Sequence, residues 1–226
     1  MRIELWSDFA CPFCWIGEAR LERAIRELGA ERDIAVAMRS FELDTRAPKK
    51  PEGTTTARFA AKYGLTPEEA AERVEAISRM GRAEGLDFRY ATTRYSNMLD
   101  AHRLAKHAEA AGCADIYRRL FAAYFTDNLD LADHAVLADI ARAAGLSEAA
   151  IRAVLGTNLH EDAVRADEAE AARLGVHAVP FFLMMPSGPS GERFAVNGAQ
   201  PTEQLRQALA YLLAEEREGG PLAVRT

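Results

Sequence analysis

The chain has 226 residues, of which 49% are hydrophobic, enough for one large domain or for a small domain that carries an insertion. Its formal net charge of −6 argues against the basic surface that binds nucleic acids or acidic membranes. Its three cysteines are too few for a disulfide scaffold in a chain of this length.

The N-terminal residues enter a predicted strand directly, without the apolar core and cleavage site of a secretory signal. No apolar run approaches the roughly 20 residues that cross a bilayer. We therefore expect a cytoplasmic protein that binds neither nucleic acid nor a membrane. In that compartment, two closely spaced cysteines are more often catalytic than structural.

The first elements are predicted from the spacing of apolar residues. Residues 2–8 read as a buried strand, and residues 12–29 as an amphipathic helix that ends at Gly29. Apolar residues alternate over residues 34–38, which predicts a second strand. A strand, a helix and a strand at this spacing form a βαβ unit, so the two strands should be parallel.

Two cysteines lie between the first strand and the helix, in the sequence Cys11-Pro12-Phe13-Cys14. The free N–H groups at a helix N-terminus carry partial positive charge and favour a thiolate, the nucleophile of disulfide exchange. A second thiol one turn later can resolve the mixed disulfide. We expect Cys11 to be the exposed attacking thiol and Cys14 the buried resolving thiol, with Pro12 in the first helical turn.

A zinc site and a structural remnant are the alternatives to a redox pair. A zinc site that uses Cys11 and Cys14 needs two further ligands at short spacing. The third cysteine, Cys113, lies far along the chain without a histidine pair of the ligand type, and reads as an apolar filler. The spacing therefore favours a redox dithiol that needs no metal and no bound cofactor.

The middle of the chain is predicted to be helical. Residues 47–53 contain two prolines and a glycine and interrupt the first unit, and from residue 54 to about 174 the apolar period is helical. Asp133 and Ser147 are typical N-caps. The clearest predicted helices cover residues 67–84, 98–111, 115–125, 132–144 and 158–174.

Strands return near the end of the chain, at residues 181–185 and 194–196. Residues 186–191 are rich in proline, glycine and serine and predict a turn, so the two strands should form an antiparallel hairpin. A last amphipathic helix is predicted over residues 202–217.

The order of elements predicts two domains. Residues 1–46 and 175–226 would form a small α/β domain, because the two halves supply the strands of one sheet. Residues 47–174 would form a helical domain inserted between them.

The chain resembles the DsbA-like branch of the thioredoxin superfamily. Three features carry the resemblance: the cysteine pair between a strand and a helix, the sequence Val179-Pro180 ahead of a strand, and the ββα ending. Within this branch, residues 7–17, 97–103 and 197–201 resemble FrnE-like proteins. The resemblance implies an α/β, thioredoxin-like fold with a large all-helical insertion.

The resemblance also implies a role for the loop before Pro180. In this fold the Val179-Pro180 bond is cis and the loop lies against the cysteine pair. The N–H and C=O groups of Val179 could then pair with an extended substrate backbone. The alternative is an ordinary trans proline at the start of a strand.

Other candidate residues surround the motif. We expect Phe9 and Phe13 to be exposed and to line a substrate groove, together with Pro12. Asn97 is either a helix cap or a site residue that faces the cysteines. His177, close to Pro180 in the sequence, either influences the thiolate or is solvated.

Three functions follow from these residues. The first is a thiol–disulfide oxidoreductase or isomerase that acts on protein or small-molecule thiols and disulfides, with glutathione as a candidate co-substrate. The second is a glutathione-dependent enzyme similar to kappa-class transferases and 2-hydroxychromene-2-carboxylate isomerases, which typically carry a serine where this chain has Cys11. The third is a binding module without catalysis. The sequence leaves open a monomer or a homodimer.

Overall fold

The computed structural model describes residues 1–113, 115–187 and 192–218. Within these ranges the chain forms one four-stranded sheet and nine α-helices. The strands are β1 (Arg2–Ser7), β2 (Ala35–Ser40), β3 (Phe181–Met185) and β4 (Phe194–Asn197). The helices are α1 (Pro12–Glu27), α2 (Thr55–Tyr63), α3 (Pro67–Ala83), α4 (Leu99–Ala110), α5 (Ile116–Phe125), α6 (His134–Ala143), α7 (Glu148–Leu155), α8 (Glu161–Arg173) and α9 (Thr202–Glu218), and a 3-10 turn covers Tyr90–Thr92.

The sheet has the strand order β2-β1-β3-β4. Strand β1 pairs in parallel with β2 and antiparallel with β3, and β3 pairs antiparallel with β4. The parallel βαβ unit and the antiparallel hairpin predicted from the sequence are both confirmed. Residues 188–191 of the predicted turn lie outside the described residues.

The two central strands form the core of the sheet. Ile3, Leu5 and Trp6 of β1 are fully buried, and β3 contributes a continuous run of buried residues from Phe181 to Met184. The indole nitrogen of Trp6 donates a hydrogen bond of 2.9 Å to the carbonyl of Asp167 on α8. The core therefore extends from the sheet directly onto the helices between β2 and β3.

Helix α1 follows β1 and packs against α9. It ends at Glu27, two residues before the predicted end, and Gly29 just beyond it adopts a left-handed conformation (φ 62°). Gly17 brings α1 close to the loop before β3: a Cβ atom at Gly17 would lie 2.9 Å from Cγ of Pro180. Glycine at this position thus sets how closely α1 approaches Pro180.

Helices α2 to α8 lie in sequence between β2 and β3, as predicted, and the boundaries follow local chemistry. Asp133 and Ser147 cap α6 and α7, since their side chains accept hydrogen bonds from the N–H groups of Ala135 and Ala150. The helix predicted over residues 158–174 begins later, at Glu161, because His160 adopts a left-handed conformation (φ 68°).

A cluster of aromatic rings joins α1 to the helical segment. The indole of Trp15 stacks on Phe88, Phe121 and Phe125 with ring centroids 5.4 to 6.1 Å apart. Burial of several large rings at one contact stabilises the packing of α1 against the helical segment.

None of the helices in residues 1–113, 115–187 and 192–218 has the length and hydropathy needed to cross a membrane. The division into two domains stays a prediction.

Candidate active site

The two cysteines of the motif lie at the N-terminus of α1. Cys11 is the N-cap residue, with Pro12 in the first turn. The N–H of Cys11 donates to the carbonyl of Asp8 at 3.0 Å, and the N–H of Cys14 donates to the carbonyl of Cys11 at 3.1 Å. Both cysteines are free thiols. The two cysteines therefore lie one helical turn apart, and their thiols interact.

The expectation that Cys11 is exposed is wrong. The residue is only 4% exposed, and its thiol donates a hydrogen bond of 3.5 Å to the carbonyl oxygen of Val179. The loop before Pro180 therefore covers the sulfur. Sequence reasoning missed this because the loop comes from the other end of the chain.

Cys14 is fully buried, as predicted. Its sulfur accepts a hydrogen bond of 3.5 Å from the N–H of Asp8. Burial raises the pKa of the Cys14 thiol well above its ordinary value, and the neighbouring Cys11 raises it further. Ionisation of Cys14 therefore costs more free energy than ionisation of an exposed thiol.

The Val179-Pro180 peptide bond is cis, and both residues are buried against the start of α1. His177, just before them in the sequence, is exposed. The site therefore presents a carbonyl group in contact with Cys11 and an imidazole that is open to solvent on the same loop.

The two phenylalanines near the motif differ in exposure. Phe13 is 38% exposed and Phe9 only 2%, so the prediction is correct for Phe13 and wrong for Phe9. The ring of Phe9 packs on His102 of α4 and on Phe121 of α5, with centroids 4.8 and 5.1 Å apart. The helical segment between β2 and β3 therefore removes Phe9 from the surface and leaves Phe13 to line it.

Asn97 is half-buried and lies just before α4. Its side-chain oxygen accepts a hydrogen bond of 3.1 Å from the N–H of Leu99, and its own N–H donates to the carbonyl of Pro48 at 2.9 Å. The N-cap of α4 is Met98, so Asn97 is not the cap that the sequence suggested, although its contacts organise the turn before the helix. A role of Asn97 toward substrate stays a prediction.

A buried carboxylate and a buried imidazole lie behind the cysteines. Asp8 follows β1, and its carboxylate accepts hydrogen bonds from the N–H groups of Ala10 and Leu43 at 3.0 and 2.7 Å. His102 of α4 places its Nε2 atom 3.7 Å from the carboxylate of Asp8. The sequence analysis did not select this pair, because the two residues lie far apart in the chain.

Glu18 is a half-buried acid that the sequence analysis missed. It lies one turn beyond Cys14 on α1, and its Oε2 atom is buried without a hydrogen-bond partner among the described residues. Burial, and then the charge of Glu22, raises the pKa of Glu18 to about 8. The sequence signal was weak, since a glutamate on a helix is usually solvated.

We expect Glu18→Gln to stabilise the protein increasingly as the pH rises from 5 to 8.5. Between pH 5 and the folded-state pKa of about 8, the folded protein keeps a proton on Glu18 that the unfolded chain releases, so wild-type stability falls as the pH rises. Glutamine does not titrate, so its free energy of unfolding relative to that of the wild type should rise by roughly 3 to 4 kcal/mol between pH 5 and pH 8.5. Urea unfolding at both pH values measures the difference.

Glu31→Gln is the matched control, because Glu31 is exposed. Its difference from the wild type should be the same at both pH values. An equal response of the two variants to pH would contradict the assignment of a buried, protonated Glu18.

The site is equipped for sulfur chemistry. Two thiols one turn apart can form and break a disulfide, and the carbonyl of Val179 contacts the first of them. In the ranges that the structure describes, no group of three or more His, Cys, Asp and Glu side chains could hold a metal ion.

Comparison with known proteins identifies the family. The model of the DSBA-like thioredoxin domain matches residues 2–210. The "probable DsbA oxidoreductase SCO1869" from Streptomyces coelicolor is 34% identical, with a TM-score of 0.88 over 100% of this chain and 94% of its own. The "uncharacterized protein YwbO" of Bacillus subtilis is 24% identical over 81% of this chain and 86% of its own.

A 2-hydroxychromene-2-carboxylate isomerase shares the fold, with a TM-score of 0.70 and 15% identity over 98% of this chain and 100% of its own. At this identity the likeness concerns the fold alone. The narrower resemblance to FrnE-like proteins stays a prediction. The match over residues 2–210 and the identity with the Streptomyces protein show that this chain belongs to the DSBA-like thioredoxin domain family.

Proposed function

We propose that the protein is a thiol–disulfide oxidoreductase in which Cys11 attacks and Cys14 resolves. The observation that carries this proposal is the position of Cys11 at the N-terminus of α1, with Cys14 one turn below it and the carbonyl of Val179 on its sulfur. Helix N-terminal N–H groups favour the thiolate, which is the form that attacks a disulfide.

The reaction proceeds in two exchanges. The Cys11 thiolate attacks one sulfur of the substrate disulfide, and the other substrate sulfur leaves as a thiolate. The Cys14 thiolate then attacks the sulfur of Cys11, and the second substrate sulfur leaves. The substrate gains two electrons and two protons, and the protein gains a Cys11–Cys14 disulfide. The reverse sequence oxidises a dithiol.

The loop before Pro180 would bind the substrate chain. The carbonyl of Val179 accepts a hydrogen bond from the Cys11 thiol. An incoming substrate would replace this hydrogen bond when its own sulfur reaches Cys11. An extended backbone could pair with Val179, while the exposed ring of Phe13 contacts apolar side chains. His177, which is exposed on the same loop, and Asn97, which lies before α4, are the polar candidates for contact with substrate.

Glutathione-dependent chemistry is the second candidate function. Because an isomerase shares the fold, the fold alone does not separate the two functions. The dithiol favours exchange, since a second thiol has no part in the conjugation or isomerisation of a glutathione adduct. In a cytoplasmic setting, where the glutathione pool is reducing, reduction or isomerisation of disulfides is the more natural direction.

Trapping with Cys14→Ser tests the proposal. Without the resolving thiol, the adduct on Cys11 should persist, and non-reducing electrophoresis with mass spectrometry should identify the captured partner. The double variant Cys11→Ser/Cys14→Ser is the control and should capture nothing. Capture of proteins through Cys11 supports the proposal. Capture of glutathione alone favours the second function, and no adduct at all contradicts both.

A further inference from the structure

The resolving thiol has a charged environment that the two-cysteine mechanism does not use. Asp8 and His102 are almost inaccessible, with side chains 1% and 3% exposed, and they come from the end of β1 and from α4. Their nearest polar atoms are 3.7 Å apart. Among the described residues, Nε2 of His102 has no hydrogen-bond partner. A buried polar atom without a hydrogen bond costs free energy, so the position of His102 against Asp8 calls for an explanation.

Asp8 connects this pair to Cys14. Its N–H donates to the sulfur of Cys14 at 3.5 Å, and a donor at this distance stabilises a thiolate more than a thiol. Its carboxylate accepts hydrogen bonds from two backbone N–H groups. Asp8 therefore contacts the Cys14 sulfur through its backbone and faces His102 through its carboxylate, so it links the two residues.

The groups that face His102 are mainly acidic. Besides Asp8, the buried carboxylate of Glu42 interacts electrostatically with His102, although Arg165 of α8 also pairs with Glu42. One turn further along α4, Lys106 is engaged with Asp167. The remaining groups near the pair are the ring of Phe9, the thiol of Cys14, and the hydroxyls of Tyr95 and Tyr124, which interact with Asp8.

We propose that His102 is a positioning residue that lies against Asp8, offsets its negative charge and so allows Cys14 to ionise when it resolves the mixed disulfide on Cys11. This inference rests on the proposed function and extends it to a residue contributed by α4. Without the histidine, a carboxylate on the residue that contacts Cys14 would oppose a second negative charge.

Atoms and electrons balance when Cys14 resolves the mixed disulfide on Cys11. The Cys14 thiol gives its proton to the solvent, and the thiolate forms a bond to the sulfur of Cys11. The bond between Cys11 and the substrate sulfur breaks, and that sulfur leaves with the electron pair and takes up a proton.

The experiment uses the reduced protein in a Cys113→Ser background, which removes the third free thiol, and the disulfide reagent DTNB in stopped flow. Attack by Cys11 releases one thionitrobenzoate at a rate proportional to the reagent concentration. Resolution by Cys14 releases the second at a rate independent of it. In His102→Gln we expect the second phase at pH 7 to slow about tenfold and the midpoint of its pH profile to rise by about one unit. The first phase should stay within about twofold.

The double variant Asp8→Asn/His102→Gln separates a charge effect from a packing effect. Removing both members restores a neutral site, so the second phase should return to within about threefold of the wild-type rate. His134→Gln is the matched control, since His134 pairs with Asp100 of α4 at the surface and should leave both phases unchanged.

Two results would overturn the inference: an unchanged second phase and pH profile in His102→Gln, or a double variant slower than the single one. A wild-type protein that releases no second thionitrobenzoate would instead contradict the proposed function itself. Thermal unfolding of each variant verifies that it is folded before the rates are compared.

Discussion

Cys11→Ser should reduce disulfide exchange to the rate of the uncatalysed reaction. A serine hydroxyl is neither ionised near neutral pH nor able to form a disulfide, so the first exchange cannot occur. Because Cys11 is an N-cap residue and serine is a favoured N-cap, the helix start should be preserved or improved. Reduction of insulin by the reduced protein, followed as precipitation, measures the loss.

Cys113→Ser is the matched control for this loss. Cys113 is a half-buried free cysteine at the end of α4, and its thiol is 4.0 Å from the carbonyl of Ala111. We expect its variant to reduce insulin at the wild-type rate. Equal loss in the two variants, or full activity of Cys11→Ser, would remove the basis for assigning attack to Cys11.

Arg103→Met should destabilise the protein by about 3 to 5 kcal/mol, the cost typical of breaking a buried ion pair by removing one partner. The guanidinium of Arg103 is 4% exposed and pairs with Asp100 at 2.6 Å. It also donates to the carbonyl of Leu159 at 3.0 Å and to the carbonyls of Val154 and Thr157. Methionine would leave three carbonyls and a carboxylate without this donor.

Arg118→Met tests whether burial causes the effect. Arg118 forms an equivalent i,i+3 pair with Asp115 at 2.6 Å, but its side chain is 72% exposed. We expect this variant to lose less than about 1 kcal/mol, as exposed ion pairs usually do. Urea unfolding at constant pH compares the two. If Arg103→Met lost as little stability as Arg118→Met, the contacts of Arg103 with the segment between α7 and α8 would contribute little to the free energy of unfolding.

Much of the fold was predictable from local patterns. The alternation and spacing of apolar residues defined β1, α1 and β2, and the turn-forming residues at 186–191 indicated the hairpin. Caps such as Asp133 were readable because a cap depends on residues within one turn. The cysteine motif was equally local, since its spacing and its position before a helix contain the argument for redox chemistry.

What the sequence determined by itself is thus the order and type of the elements and the presence of two thiols at a helix N-terminus. Only the tertiary structure decided that Val179 covers Cys11, that α4 and α5 bury Phe9, and that His102 meets Asp8 behind Cys14. Each of these contacts joins residues widely separated in the chain. A periodic pattern reports which face of an element is buried, but the residue that covers it depends on how the elements pack.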